Sequence, residues 1–248
     1  MTDIATFADT LYRIALDPDM EKSEKVDKMI SYFLNDTKYT IENVEEYNIS
    51  PNVKCNGFYQ RINTKTGKTI YKGFLVEGRL DGYGELYYEK GNLKYEGEWK
   101  DDKLNGQGKL YDSDGKLRYE GEYKDSMKCG QGKYYENDKL TYEGEFKDNH
   151  YNGQGKYYCE NGNLKYEGEY KNNQYNGQGK LYWENGKLRY EGEYKNNMKC
   201  GQGKYYEKGE LIYEGEFKDN HYNGQGKYYW ENGNLKYEGE FVSGLFNG

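Results

Sequence analysis

The chain has 248 residues, of which 34% are hydrophobic and 32% charged, and its formal net charge is −7. So polar a composition by itself describes a chain unable to bury a core, yet 17% of the residues are aromatic, 32 tyrosines among them, and the 33 glycines fall at fixed positions. Tyrosine buries a large ring while keeping its hydroxyl wet, so an ordered, single-layer structure held by ring packing is expected.

The charge is unevenly shared. Residues 1–50 carry 11 acidic and 5 basic side chains, and residues 51–248 carry 32 and 31. Neither part has the basic stripe that neutralises a phosphate backbone, so nucleic acid is not an expected partner. Anionic membrane is disfavoured for the same reason. The start, Met1-Thr2-Asp3-Ile4, lacks a basic region followed by an apolar run, and a cytoplasmic location is expected.

In chain order, the first segment contains no glycine. Ile4, Phe7, Leu11 and Ile14 fall at helical spacing, as do Val26, Met29, Ile30 and Phe33. Asp17-Pro18-Asp19 separates the two runs, because a residue before proline avoids the α region. Helices are expected at about 3–16 and 19–35, and residues 1–50 form a helical cap or docking segment.

From residue 51 onward a Tyr-x-Gly-x-aromatic motif recurs, with its tyrosine at Tyr95, Tyr119, Tyr142, Tyr166, Tyr190, Tyr213 and Tyr237 and a looser copy at Tyr71. The spacing is 24 residues, shortened to 23 after Tyr119 and Tyr190. A shift of 71 residues lays 95–165 on 166–236 with 56 identities, so a three-repeat block was duplicated. A fixed period of this size marks a stacked repeat array.

Each unit reads as a β-hairpin. Asn185-Gly186, Asn161-Gly162 and Asn232-Gly233 separate alternating runs, which predicts two-residue type I′ turns. In Leu188–Lys195, Leu188, Tyr190, Gly192 and Tyr194 share one face, while Arg189, Glu191, Glu193 and Lys195 share the other. The glycine amid the aromatic face predicts a ring lying across bare backbone. Gly177-Gln178-Gly179 and its equivalents predict a bulge.

These motifs resemble the MORN repeat. Tyr166-Glu167-Gly168-Glu169-Tyr170, Asn176-Gly177-Gln178-Gly179 and Asn185-Gly186 follow its pattern, and the resemblance covers about residues 57–248. Tyr71-Lys72-Gly73-Phe74-Leu75 lacks the second aromatic, and Asn137-Asp138 replaces Asn-Gly. The fold expected is mainly β: an elongated, twisted, single-layer antiparallel β-meander solenoid of about eight hairpins over 51–248, preceded by the small α-helical segment. Its last edge, near Tyr237–Val242, is open unless Ser243–Gly248 folds over it, which predicts end-to-end self-association.

No catalytic constellation emerges, so the chain is not expected to be an enzyme. His150 and His221 are duplicated loop residues, and three two-strand repeats separate them by roughly 29 Å. Glu191 and Glu193 read as part of an outward ion-pair ladder. Gly130-Gln131-Gly132-Lys133 lacks the spacing and the following Ser or Thr of a phosphate loop. Cys129 and Cys200 are equivalents too far apart for a disulfide, no metal-ligand spacing is present, and no cofactor is expected.

The function expected is therefore a non-catalytic scaffold that binds a protein partner, a helix or an extended segment, through an aromatic groove or the strand edges. The aromatic face assigned to that role is Tyr95, Trp99, Tyr119, Tyr123, Phe146, Tyr166, Tyr170, Tyr190, Tyr194 and Phe217. The resemblance implies work in protein assembly, often at cytoskeletal or ciliary structures. It also implies two alternatives: a phospholipid-binding membrane tether, and a bacterial antitoxin-type binding protein.

Overall fold

The computed structural model describes residues 56–63 and 65–247. The helical segment expected within 1–50 lies outside them, as does Cys55. Seventeen strands run from β1 (Gly57–Ile62) and β2 (Thr69–Val76) to β15 (His221–Tyr229), β16 (Leu235–Val242) and β17 (Leu245–Asn247). Each pairs antiparallel with its neighbours in sequence, so the whole is one open β-meander, as the sequence predicts.

The turns differ from expectation in an instructive way. The Asn-Gly pairs do not form type I′ turns. At Asn185-Gly186, Gly186 N–H donates to Trp183 O and Trp183 N–H to Lys187 O, with only Gly186 at positive φ (80°). This is a three-residue loop, a type I turn ending in a bulge glycine. The type I′ turns lie at the other end of each unit, where both central residues have positive φ: Asn172 (49°) and Asn173 (65°), or Asn196 (50°) and Asn197 (67°). Asparagine and aspartate tolerate this region, which is why they fill most of these pairs, with Glu77-Gly78 and Asp125-Ser126 among the exceptions.

The same distinction explains the 23-residue spacings. After Tyr119 and after Tyr190 the bulge loop is replaced by a two-residue turn, Asn137-Asp138 (51° and 62°) or Lys208-Gly209 (55° and 103°). Glu136 then pairs directly with Lys139, and Glu207 with Glu210. One residue is saved each time.

Fifteen glycines cross strands β2 to β16 in one unbroken row of cross-strand partners, from Gly73 to Gly239. The motif tyrosine lies over this row. A Cβ built at Gly132, Gly203 or Gly226 would come within 2.5 Å of the hydroxyl of Tyr119, Tyr190 or Tyr213. That is the bare backbone predicted for the aromatic face. The ring belongs to the same strand as one glycine of each pair, two residues upstream.

Each motif hydroxyl then donates to the carbonyl three residues on: Tyr166 to Glu169 O at 3.1 Å, Tyr190 to Glu193 O at 3.1 Å. Beside it, Gly-Gln-Gly forms the expected bulge, and the register slips between Gly168 and Tyr170. The Glu169 carboxylate accepts the freed Gln178 N–H at 3.0 Å.

The rings form a continuous spine. Tyr166 is perpendicular to Tyr170 of its own unit (5.1 Å between centroids, 83°) and to Tyr194 of the next (5.5 Å, 79°). The bulge also brings Tyr175 face to face with Tyr166, at 3.6 Å and 8°. This edge-to-face zigzag runs from Tyr71 to Phe246, each pair adding about 0.5–1.5 kcal/mol beyond area burial. It is the core.

Candidate functional site

All ten aromatic residues assigned to partner contact belong to this core. Tyr119, Tyr166 and Tyr190 are fully buried, and the most exposed of the ten, Trp99, is 8% exposed. Their rings are committed to one another and to the glycine row, so they do not line an open groove.

The groove that exists is on the charged face. A trough of about 1650 Å³ runs from Tyr83 to Glu238. Its floor is the glycine row, for instance Gly168, Gly179, Gly192 and Gly203, where backbone is bare. Its walls repeat three residues per unit: Glu167, Gln178 and Lys180 in one, Glu191, Gln202 and Lys204 in the next. The sequence already shows this charge ladder. What it does not show without the register is that every ladder lies beside a side-chain-free floor.

The glutamates are held in place. Tyr182 Oη donates to Glu167 Oε1 at 2.6 Å, Tyr206 Oη to Glu191 at 3.0 Å, and Tyr135 Oη to Glu120 at 2.8 Å. Burial and this bond push the Tyr135 and Tyr206 hydroxyls up to about 12, so both remain donors at neutral pH. Lysines sit opposite, with Lys204 Nζ 3.7 Å from Glu214 and Lys227 Nζ 3.5 Å from Glu238. These pairs are too exposed to stabilise much, but they extend one row across the sheet in which glutamate and lysine alternate, Glu167, Lys180, Glu191 and Lys204 facing one another in turn.

Two units vary the aromatic layer instead. Where Tyr175 would stack, Lys128 and Lys199 insert their ammonium groups, 4.7 Å above Tyr119 and 4.9 Å above Tyr190. The cation–π contact replaces ring stacking. Burial, with Arg189 nearby, pulls Lys199 down to about 8.

The remaining candidates carry no reaction geometry. His150 and His221 are exposed, each with Nδ1 against a turn carbonyl, Asp148 O at 2.7 Å and Asp219 O at 2.9 Å. Among the described residues, Cys129, Cys159 and Cys200 are unpaired, and no group of three His, Cys, Asp or Glu residues is placed to hold a metal.

The MORN repeat profile matches residues 95–116, 119–138, 142–164, 166–187, 190–210, 213–235 and 237–248. A MORN repeat variant matches 80–101 and 133–148. No curated protein matches the chain.

Proposed function

The chain belongs to the MORN repeat family, whose arrays commonly serve as protein- or lipid-binding scaffold modules, and we propose that this one is a non-catalytic scaffold that takes a protein partner along its trough. The observation that carries the reading is the trough itself. Six units align the same Glu, Gln and Lys around a bare backbone floor, which suits a long polypeptide better than a small substrate. The buried aromatic spine serves as rigid support. A partner whose charges alternate in sign, like charges recurring at about the 9.6 Å of two strands, would complement the row along its length.

Lipid binding is the second reading. The near-equal numbers of glutamate and lysine in the trough work against an anionic headgroup surface. The three unpaired cysteines support a reducing compartment.

The test is affinity capture from the native source with the wild-type chain and with Glu143→Lys/Glu167→Lys/Glu191→Lys. A protein retained by the first and released by the second is expected. Retention by both removes the trough from recognition. Flotation with phosphoinositide vesicles that succeeds while no protein is captured replaces the reading with the lipid one.

A further inference from the structure

The trough repeats at a distance that selects among polypeptide conformations. Its middle stretch carries Glu143 on β8 (Lys139–Lys147), Glu167 on β10 (Leu164–Lys171) and Glu191 on β12 (Leu188–Lys195). All three are half-buried, and each has one oxygen fixed by a tyrosine. Tyr158 Oη donates to Glu143 Oε1 at 2.5 Å, Tyr182 Oη to Glu167 Oε1 at 2.6 Å and Tyr206 Oη to Glu191 Oε1 at 3.0 Å. Lys156 and Lys180 face them in register, yet among the described residues none of these five side chains forms an ion pair.

The two kinds of charge are therefore unequal. The lysines are exposed, on long side chains that keep their rotamer freedom. The carboxylates have already given theirs up, so a cation that reaches them has less to order. One exposed side-chain amide per unit, that of Gln154, Gln178 or Gln202, also lines the trough and makes no hydrogen bond among the described residues.

Successive glutamates are two strands apart, about 9.6 Å across the sheet. A polyproline II helix has three residues per turn at about 3.1 Å each, so every third side chain returns to one side after about 9.3 Å. From Glu143 to Glu191 the two periods part by only about 0.6 Å. An extended strand repeats at about 6.8 Å and loses register within one unit. Seven residues of α-helix rise about 10.5 Å and drift by about 1.8 Å over the same span. The polyproline II chain also has no internal hydrogen bonds, which leaves a carbonyl open to a glutamine amide at every turn. The side-chain-free floor lets its rings approach the sheet.

We propose that the trough takes a polyproline II segment with arginine or lysine at every third residue, its cations on Glu143, Glu167 and Glu191. This deepens the reading of the trough as a polypeptide site and rests on it. Lys156 and Lys180 turn outward, or meet an acidic residue placed between the cations.

The test is fluorescence anisotropy with the full chain and a labelled peptide of four Pro-Pro-Arg triplets. Saturable binding is expected. An isomer of the same composition with its four arginines adjacent should bind about fivefold more weakly or worse. Glu167→Gln in the chain, with an unchanged circular dichroism spectrum, should weaken the Pro-Pro-Arg peptide by a similar factor and the isomer less. Absence of saturable binding overturns the proposal, as does equal binding of the isomer or of a Glu-Pro-Pro peptide. If an alanine-rich helical peptide with arginine at every seventh residue binds in its place, the polyproline II inference falls and the trough reading stands. If no peptide binds and Glu143→Lys/Glu167→Lys/Glu191→Lys still captures its protein, both fall.

Discussion

A tyrosine hydroxyl is treated in two ways within one repeat. The motif tyrosine donates to a carbonyl, as Tyr166 does to Glu169 O. Four residues on, the hydroxyls of Tyr123, Tyr170 and Tyr194 are buried without a partner. Phe146 and Phe217 fill that place in other units, and Trp99 there donates its indole N–H to Gly84 O at 3.2 Å. An unpaired buried hydroxyl costs free energy that phenylalanine avoids. Tyr170→Phe is therefore expected to be neutral or to stabilise by up to about 1 kcal/mol, and Tyr166→Phe to destabilise by about 1 kcal/mol, in urea unfolding.

Glycines divide just as sharply at this scale. A Cβ at Gly179 would meet the Tyr166 ring, whereas nothing lies within 4 Å of one at Gly186, whose φ is 80°. Gly179→Ala overpacks the core and should cost about 3 kcal/mol. Gly186→Asn keeps a residue that tolerates positive φ and should change stability by less than about 1 kcal/mol. Equal effects in thermal melts would remove the packing explanation.

At the scale of the element, the type I′ turns join one unit to the next. Asn173 N–H donates to Tyr151 O at 3.0 Å, and its Oδ1 accepts from Tyr151 N–H at 2.7 Å. Asn197 repeats the clamp on Tyr175, and Asn220 on Lys199. Turn residues thus hold the previous strand as well as their own hairpin. Asn173→Ala leaves the Tyr151 N–H without its acceptor and should cost about 1–2 kcal/mol, read as a lowered urea midpoint. Asn173→Asp keeps the acceptor and should lose less. The sequence announces turns at every unit, but two kinds of turn share one alphabet of Asn, Asp and Gly. Loop length and pairing register separate them, and local composition carries neither.

At the scale of the whole array, every pairing among the described residues is between consecutive strands, and one aromatic spine links them. Stability is then a sum of unit and neighbour terms, and unfolding can begin at either end. The tyrosines make it depend on alkali. Burial raises the Tyr175 and Tyr213 hydroxyls from the usual 10 to about 12, and those of Tyr166 and Tyr190 further. The folded state keeps protons that the unfolded chain releases near pH 10. Their contribution is complete below pH 10 and is lost as pH rises through the folded values. Lys199, pulled down to about 8 from 10.5, and Lys128, also lowered by burial, work in the opposite direction below pH 10.5, but they are two groups against many. The urea midpoint should fall by on the order of 1 M between pH 8 and pH 11.5. A flat profile would mean that the rings ionise without unfolding.

The sequence by itself determined the repeat, its period, the antiparallel meander and the placing of tyrosine against glycine, because each follows from residues within one hairpin. Which face remains open was decided only in three dimensions. Read along one strand, Tyr190 and Tyr194 are an apolar surface awaiting a partner, and Glu191 is solvated charge. Stacking supplies Tyr166, Phe217 and the glycine row as the partner of the first, buries it, and leaves the second as the wall of a trough.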